Sequence, residues 1–151
     1  MKNIDKTKFD TKTTSIKKGK FVDLAPKYFL EENYSCSESI ARAAVDLGYA
    51  SEDFISIATS FSGGMGNGCL CGAVAGSQMV IGLLFGKYKT NTARSLAKEF
   101  YQKFTEIHKV ACCKVLTNDF KDFHSSERKN HCSNMVYDCA KILDEILAKT
   151  N

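Results

Sequence analysis

No charged residue occurs between Asp53 and Lys87. A stretch of that length rarely stays in water as a loop, so it must supply the inside of a fold or cross a membrane. Its most apolar part, Cys69 to Gly86, only reaches the lower limit of a membrane span. Ser77, Gln78 and repeated glycines interrupt it, and the chain holds no second candidate. The expectation is therefore no membrane span, but a buried glycine/alanine-rich central helix from about Cys71 to Phe85. Gly72 and Gly76, four residues apart on one face beside Ala73 and Ala75, would let a neighbouring backbone come close.

Such a helix needs others to pack against, and Pro26, the only proline, leaves the chain free to form them. Phe21, Leu24, Tyr28, Phe29 and Leu30 recur at helical spacing and predict a helix near 21–31, with Pro26 in its first turn or at a kink. Ser35-Cys36-Ser37-Glu38 reads as a capping box that opens a second helix, with Ile40, Ala43, Ala44 and Leu47 on one face and Gly48 at its end. Ser51 is placed to cap a third, bearing Phe54, Ile57, Ala58 and Phe61 and stopped by Gly63-Gly64. The clearest amphipathic stripe is Ala93, Leu96, Phe100, Phe104, Ile107 and Ala111. A polar connection from Thr117 to about Asn130 then leads to a last helix, from Cys132 through Met135, Val136, Cys139, Ile142, Leu143 and Ile146 to Leu147. No alternating run of β-branched residues competes. The fold class expected is all-α: a single-domain bundle of five or six helices over 21–151, preceded by a lysine-rich, poorly ordered arm at 1–20.

The net charge of +4 resides in that arm, which carries seven lysines against two aspartates. The remainder has fourteen Lys and Arg against fifteen Asp and Glu, which offers no basic face to nucleic acid. The start, MKNIDKTKFD, lacks the apolar run of a secretory signal, so a cytoplasmic location is expected. In a reducing compartment seven cysteines, an odd number, point to metal ligation or reactive thiols rather than a disulfide framework.

The loop GGMGNG fits neither phosphate-binding fingerprint, because Cys69 and Leu70 stand where a P-loop needs lysine and Ser or Thr, and no strand precedes it. It delivers Cys69 and Cys71 to the start of a helix, where free amides favour a thiolate, and the capping box does the same for Cys36. Short metal-binding spacings are absent: there is no Cys-x-x-Cys, only Cys69-x-Cys71 and Cys112-Cys113. A metal site must therefore draw its ligands from separate helices. His108, His124 and His131 stay outside the expected set, and Cys139 reads as an apolar filler.

Taken together, NYSCSESI, GGMGNGCLCGAVAG, CCKVL and HCSNMVYDCAKIL resemble the redox-active protein family named after its Cys / Gly-Cys-Ala-x-x-Gly / Cys / Cys signature. Cys71-Gly72-Ala73-Val74-Ala75-Gly76 is the sharpest element. The resemblance implies an α-helical redox protein whose signature cysteines are Cys36, Cys71, Cys113 and Cys132, and proposes an iron–sulfur cluster held by their four thiolates. Cys69, Cys112 and Cys139 are then additional.

Four thiolates from four segments suit a [2Fe–2S] or [4Fe–4S] cluster, with zinc as the alternative metal and Gly66, Gly68 and Gly72 lining the cofactor side of the site. The expected function is electron transfer with a redox partner protein, a homodimer being left open. The rivals are a metal-free thiol-disulfide oxidoreductase using Cys36 and Cys71, and a helical bundle stapled by zinc.

Overall fold

A computed structural model describes residues 19–87 and 90–150. The arm expected at 1–20 lies, apart from Gly19 and Lys20, outside the described residues. The fold is all-α: seven helices occur among the described residues, α1 (Phe21–Glu31), α2 (Cys36–Asp46), α3 (Asp53–Thr59), α4 (Gly72–Phe85), α5 (Thr92–His108), α6 (Cys113–Leu116) and α7 (Ser126–Thr150). The count exceeds the expected five or six because α6 is a single turn, too short to leave a period in the sequence. No helix among the described residues is long and apolar enough to cross a membrane.

The longest element, α7, packs along α1 and against α2, α4 and α5, while α2 sits between α1, α3 and α4. The core is one cluster whose largest buried side chains include Phe21, Tyr28, Ile40, Val74, Ile81, Phe100, Phe104 and Leu143. In α4 the buried residues are concentrated between Gly72 and Ile81, whereas Leu83 is 47% exposed. A Cβ on Gly76 would lie 3.0 Å from the Ser37 carbonyl oxygen and 3.3 Å from Ile40 Cβ, so the small residue is what lets α2 pack against α4 at this distance.

Several boundaries differ from the periodicity, each for a local reason. Pro26 lies past the first turn of α1, where its ring replaces the amide that would donate to the Val22 carbonyl. The start of α1 is held by α7, since the Asp144 carboxylate accepts from the amides of Phe21 and Val22, both at 2.9 Å. The capping box of α2 forms as read: Glu38 N donates to Ser35 Oγ at 3.3 Å and Ser35 N to Glu38 Oε2 at 2.9 Å. Ser51 makes only a backbone bond to the Phe54 amide, and α3 ends at Thr59, short of the glycine pair, with Ile57 57% exposed. The α5 stripe stops at Phe104, because Ile107 is 53% exposed and Lys109 turns the chain at a φ of 68°. Helix α7 begins six residues before Cys132, because Ser125 Oγ accepts from the Arg128 amide at 3.2 Å and caps it.

Candidate functional site

Four segments meet at one cavity of about 700 Å³, and Cys36, Cys71, Cys113 and Cys132 all line it. Cys36 is the first residue of α2, Cys71 directly precedes α4, Cys113 is the first residue of α6, and Cys132 stands in the second turn of α7. Two of these segments are joined by a backbone pairing that no side-chain pattern announces. An isolated antiparallel bridge links Leu70 to Cys112, with Cys71 N donating to the Ala111 carbonyl at 2.7 Å and Cys113 N to the Cys69 carbonyl at 2.5 Å. It fixes Cys71 and Cys113 on neighbouring strands of chain.

The glycine loop forms a π-type turn at Gly64–Gly68 below this bridge. Gly64 has a φ of +67°, and a Cβ there would lie 2.4 Å from the Cys69 amide nitrogen and 2.9 Å from Cys113 Cβ, so no other residue fits. Gly66, Gly68 and Gly72 line the cavity. A Cβ on Gly72 would lie 2.3 Å from Cys36 Sγ, so the thiol occupies the space the glycine leaves. Two loop amides are unavailable to sulfur, because Cys69 N donates to the Gly64 carbonyl and Cys71 N to that of Ala111.

All seven cysteines are free thiols. Helix starts were expected to favour thiolates, yet at Cys71 burial dominates: it pushes the thiol up to about 12, with nearby Cys36 adding to the rise and the amides of Val74 and Ala73 opposing it. Burial likewise raises Cys132 to about 11 and raises Cys113, in both cases against the pull of Arg128. Cys139 is completely buried, and burial holds its thiol well above the ordinary range; the charges at Cys71 and Cys36 add to the rise. Cys69 is exposed, and Cys112 Sγ faces the Gly68 carbonyl at 3.4 Å. Among the described residues no group of three or more His, Cys, Asp or Glu is spaced to hold a metal ion. The four cysteines share a cavity without being drawn together into a ligand cluster.

The family model described as "Putative redox-active protein (C_GCAxxG_C_C)" matches residues 34–146, the segment that holds all seven cysteines. The chain belongs to this family. No curated protein and no solved structure matches it.

Within this family's segment the sequence reading missed Arg128. Its guanidinium lies 3.8 Å above the Phe123 ring, Nη1 donates to the Phe123 carbonyl at 3.2 Å, and Nη2 is 4.0 Å from Cys113 Sγ. The available signal was its position four residues before Cys132, which puts both on one face of a helix once Ser125 is taken as the cap. Two histidines have structural partners: His108 Nε2 meets Asp138 Oδ2 at 2.8 Å, and His131 Nε2 meets the Leu116 carbonyl at 2.7 Å. His124 lines the cavity wall.

Proposed function

We propose that this redox-family protein binds an iron–sulfur cluster, [2Fe–2S] or [4Fe–4S], through the thiolates of Cys36, Cys71, Cys113 and Cys132, and exchanges electrons with a redox partner protein. The observation that carries the reading is that these four cysteines, far apart in sequence, line a single cavity. The donor set fits the group by its chemistry: it is all sulfur, no carboxylate lines the cavity, and glycines at 66, 68 and 72 keep their part of its wall free of side chains. When bound, such a cluster supplies a one-electron couple whose potential follows burial and hydrogen bonds to sulfur.

The chain's own residues prepare that site. The Leu70–Cys112 bridge holds Cys71 and Cys113 on adjoining backbone, the capping box fixes the first turn that carries Cys36, and α7 presents Cys132 one turn after Arg128. The guanidinium of Arg128 brings positive charge to Cys113 and Cys132, which favours their ionised forms. Burial works against Cys71 as the nucleophile of a metal-free thiol enzyme. A thiol pushed up to about 12, as at Cys71, is a weak nucleophile near neutral pH, whereas a bound cation ionises such a thiol on contact.

The test uses protein purified without oxygen, with iron, acid-labile sulfide and the visible spectrum measured on wild type, Cys71→Ser and Cys139→Ser. Stoichiometric iron that is lost in Cys71→Ser and kept in Cys139→Ser, with helical content unchanged, is the expected result. Zinc in place of iron would assign the structural alternative. No metal, with one thiol alkylating far faster than the others, would refute the reading in favour of thiol–disulfide exchange.

A further inference from the structure

The cavity carries charge of one sign. Lys114, Arg128 and Lys129 line it and no carboxylate does. Arg128 is held by the carbonyl and ring of Phe123, and no carboxylate pairs with it among the described residues. Lys129, its neighbour on α7, donates to the Leu30 carbonyl at 3.4 Å and Asn33 Oδ1 at 3.3 Å, both uncharged. Across the cavity wall, Ser35 Oγ accepts from Ser62 Oγ at 2.5 Å and from the Glu38 amide at 3.3 Å. Its own proton is shared between the Glu38 carboxylate and Ser37 Oγ, at 3.5 Å, so this hydroxyl is already engaged within the protein. Phe29, Tyr34 and Phe123 give the same cavity apolar walls, and about 700 Å³ falls within the usual size of small-molecule sites.

We propose that this cavity binds a small organic oxyanion, a carboxylate or phosphate on an apolar body, beside the cysteines, with Arg128 meeting its charge. A planar guanidinium without an acidic partner is the side chain best suited to a two-oxygen acid group, and Lys129, whose partners are uncharged, adds a second cation on the same wall. The inference deepens the redox reading by naming the chemical class of molecule that the thiol site works on. It rests on that reading for its purpose and not for the binding itself.

The full chain, purified without oxygen, is titrated calorimetrically before and after reconstitution with iron and sulfide. The probes are phenyl phosphate, phenylacetate and phenethylammonium. One of the two anions should bind at one per chain, the cation at least about tenfold more weakly. Arg128→Gln should reduce anion affinity by roughly 10- to 100-fold, the usual effect of losing a charged hydrogen bond, with Arg128→Lys in between. Lys129→Gln, with a smaller loss, serves if Arg128→Gln fails to fold by circular dichroism. Equal binding of anions and cation, no binding, or anion affinity unchanged in the folded charge variant overturns the proposal. So does binding abolished by iron loading, which would put the anion in the metal's place. Iron content separates the two readings: anion binding by protein that takes up no iron sinks the cluster and leaves this site standing. Iron lost in Arg128→Gln with anion affinity intact makes Arg128 a partner of the metal alone.

Discussion

Three glycines of α4 differ in what an added methyl group would meet, and that makes them a graded test of the packing beneath the site. In a helix interior Gly→Ala is worth roughly 0.5–1 kcal/mol of stabilisation when the space is open. At Gly82 nothing lies within 4 Å of the new Cβ, so Gly82→Ala should gain that amount. At Gly76 the methyl meets the Ser37 carbonyl oxygen at 3.0 Å and Ile40 Cβ at 3.3 Å. Relief requires α2 to move, and overpacking of this kind costs about 1–3 kcal/mol, enough to outweigh the propensity gain. Gly72→Ala is the severest, with Cys36 Sγ at 2.3 Å and the Phe61 carbonyl oxygen at 3.0 Å. The thiol is a free end and can rotate away, so this variant should both lose about 1–3 kcal/mol and expose Cys36. Urea unfolding of reduced, metal-free protein gives the stabilities, and mass spectrometry of alkylated peptides gives the rate at Cys36. A Gly72→Ala protein as stable as Gly82→Ala, with Cys36 reacting at the wild-type rate, would show that α2 and α4 do not meet as described.

Other consequences can be measured on the same protein. Asp144→Ala removes the carboxylate that caps α1 from α7, and should cost about 1–3 kcal/mol in urea unfolding; an unchanged midpoint would mean that cap carries no load. Against the cost of burial, hydrogen bonds from the Ser35 amide, Thr59 and the Ser35 hydroxyl hold Glu38 below its ordinary range. Its stabilisation is therefore present above the unfolded value and lost as pH falls through the folded one, so wild type and Glu38→Gln should converge in stability on acidification. Cys139 behaves in the opposite sense. Its raised folded value stabilises the fold while the thiol is protonated, so stability should fall with rising pH beyond about 9, by up to about 1.4 kcal/mol per pH unit more steeply than in Cys139→Ala. Parallel curves for those two proteins would place Cys139 in contact with water.

Much of the fold was legible because it rests on side-chain period and on local capping. The stripe Leu96, Phe100 and Phe104, the run from Met135 to Ile146, and the Ser35–Glu38 box each state their structure within a few residues. What was illegible has no such local pattern. The pairing of 69–71 with 111–113 is made by main-chain groups across more than forty residues, and its members Leu70, Ala111 and Cys112 could sit in any loop. Asp144 caps a helix 123 positions away in sequence, and Arg128 lies in a stretch whose polarity reads as connection until Ser125 is seen to cap it. At the site the cysteines themselves were visible, but their ionisation was misjudged. The helix start does act on Cys71 through the amides of Val74 and Ala73, and it is outweighed because the same packing that brings α4 against α2 removes the thiol from water. Position at a helix end is a local property, whereas burial belongs to the assembled fold, and for the Cys71 thiol, followed by glycine and alanine, the second is the larger. The same burial gives the site its chemical character: it raises the thiols of Cys71, Cys113 and Cys132 above their ordinary range, and it sets a single guanidinium, that of Arg128, beside Cys113 and Cys132.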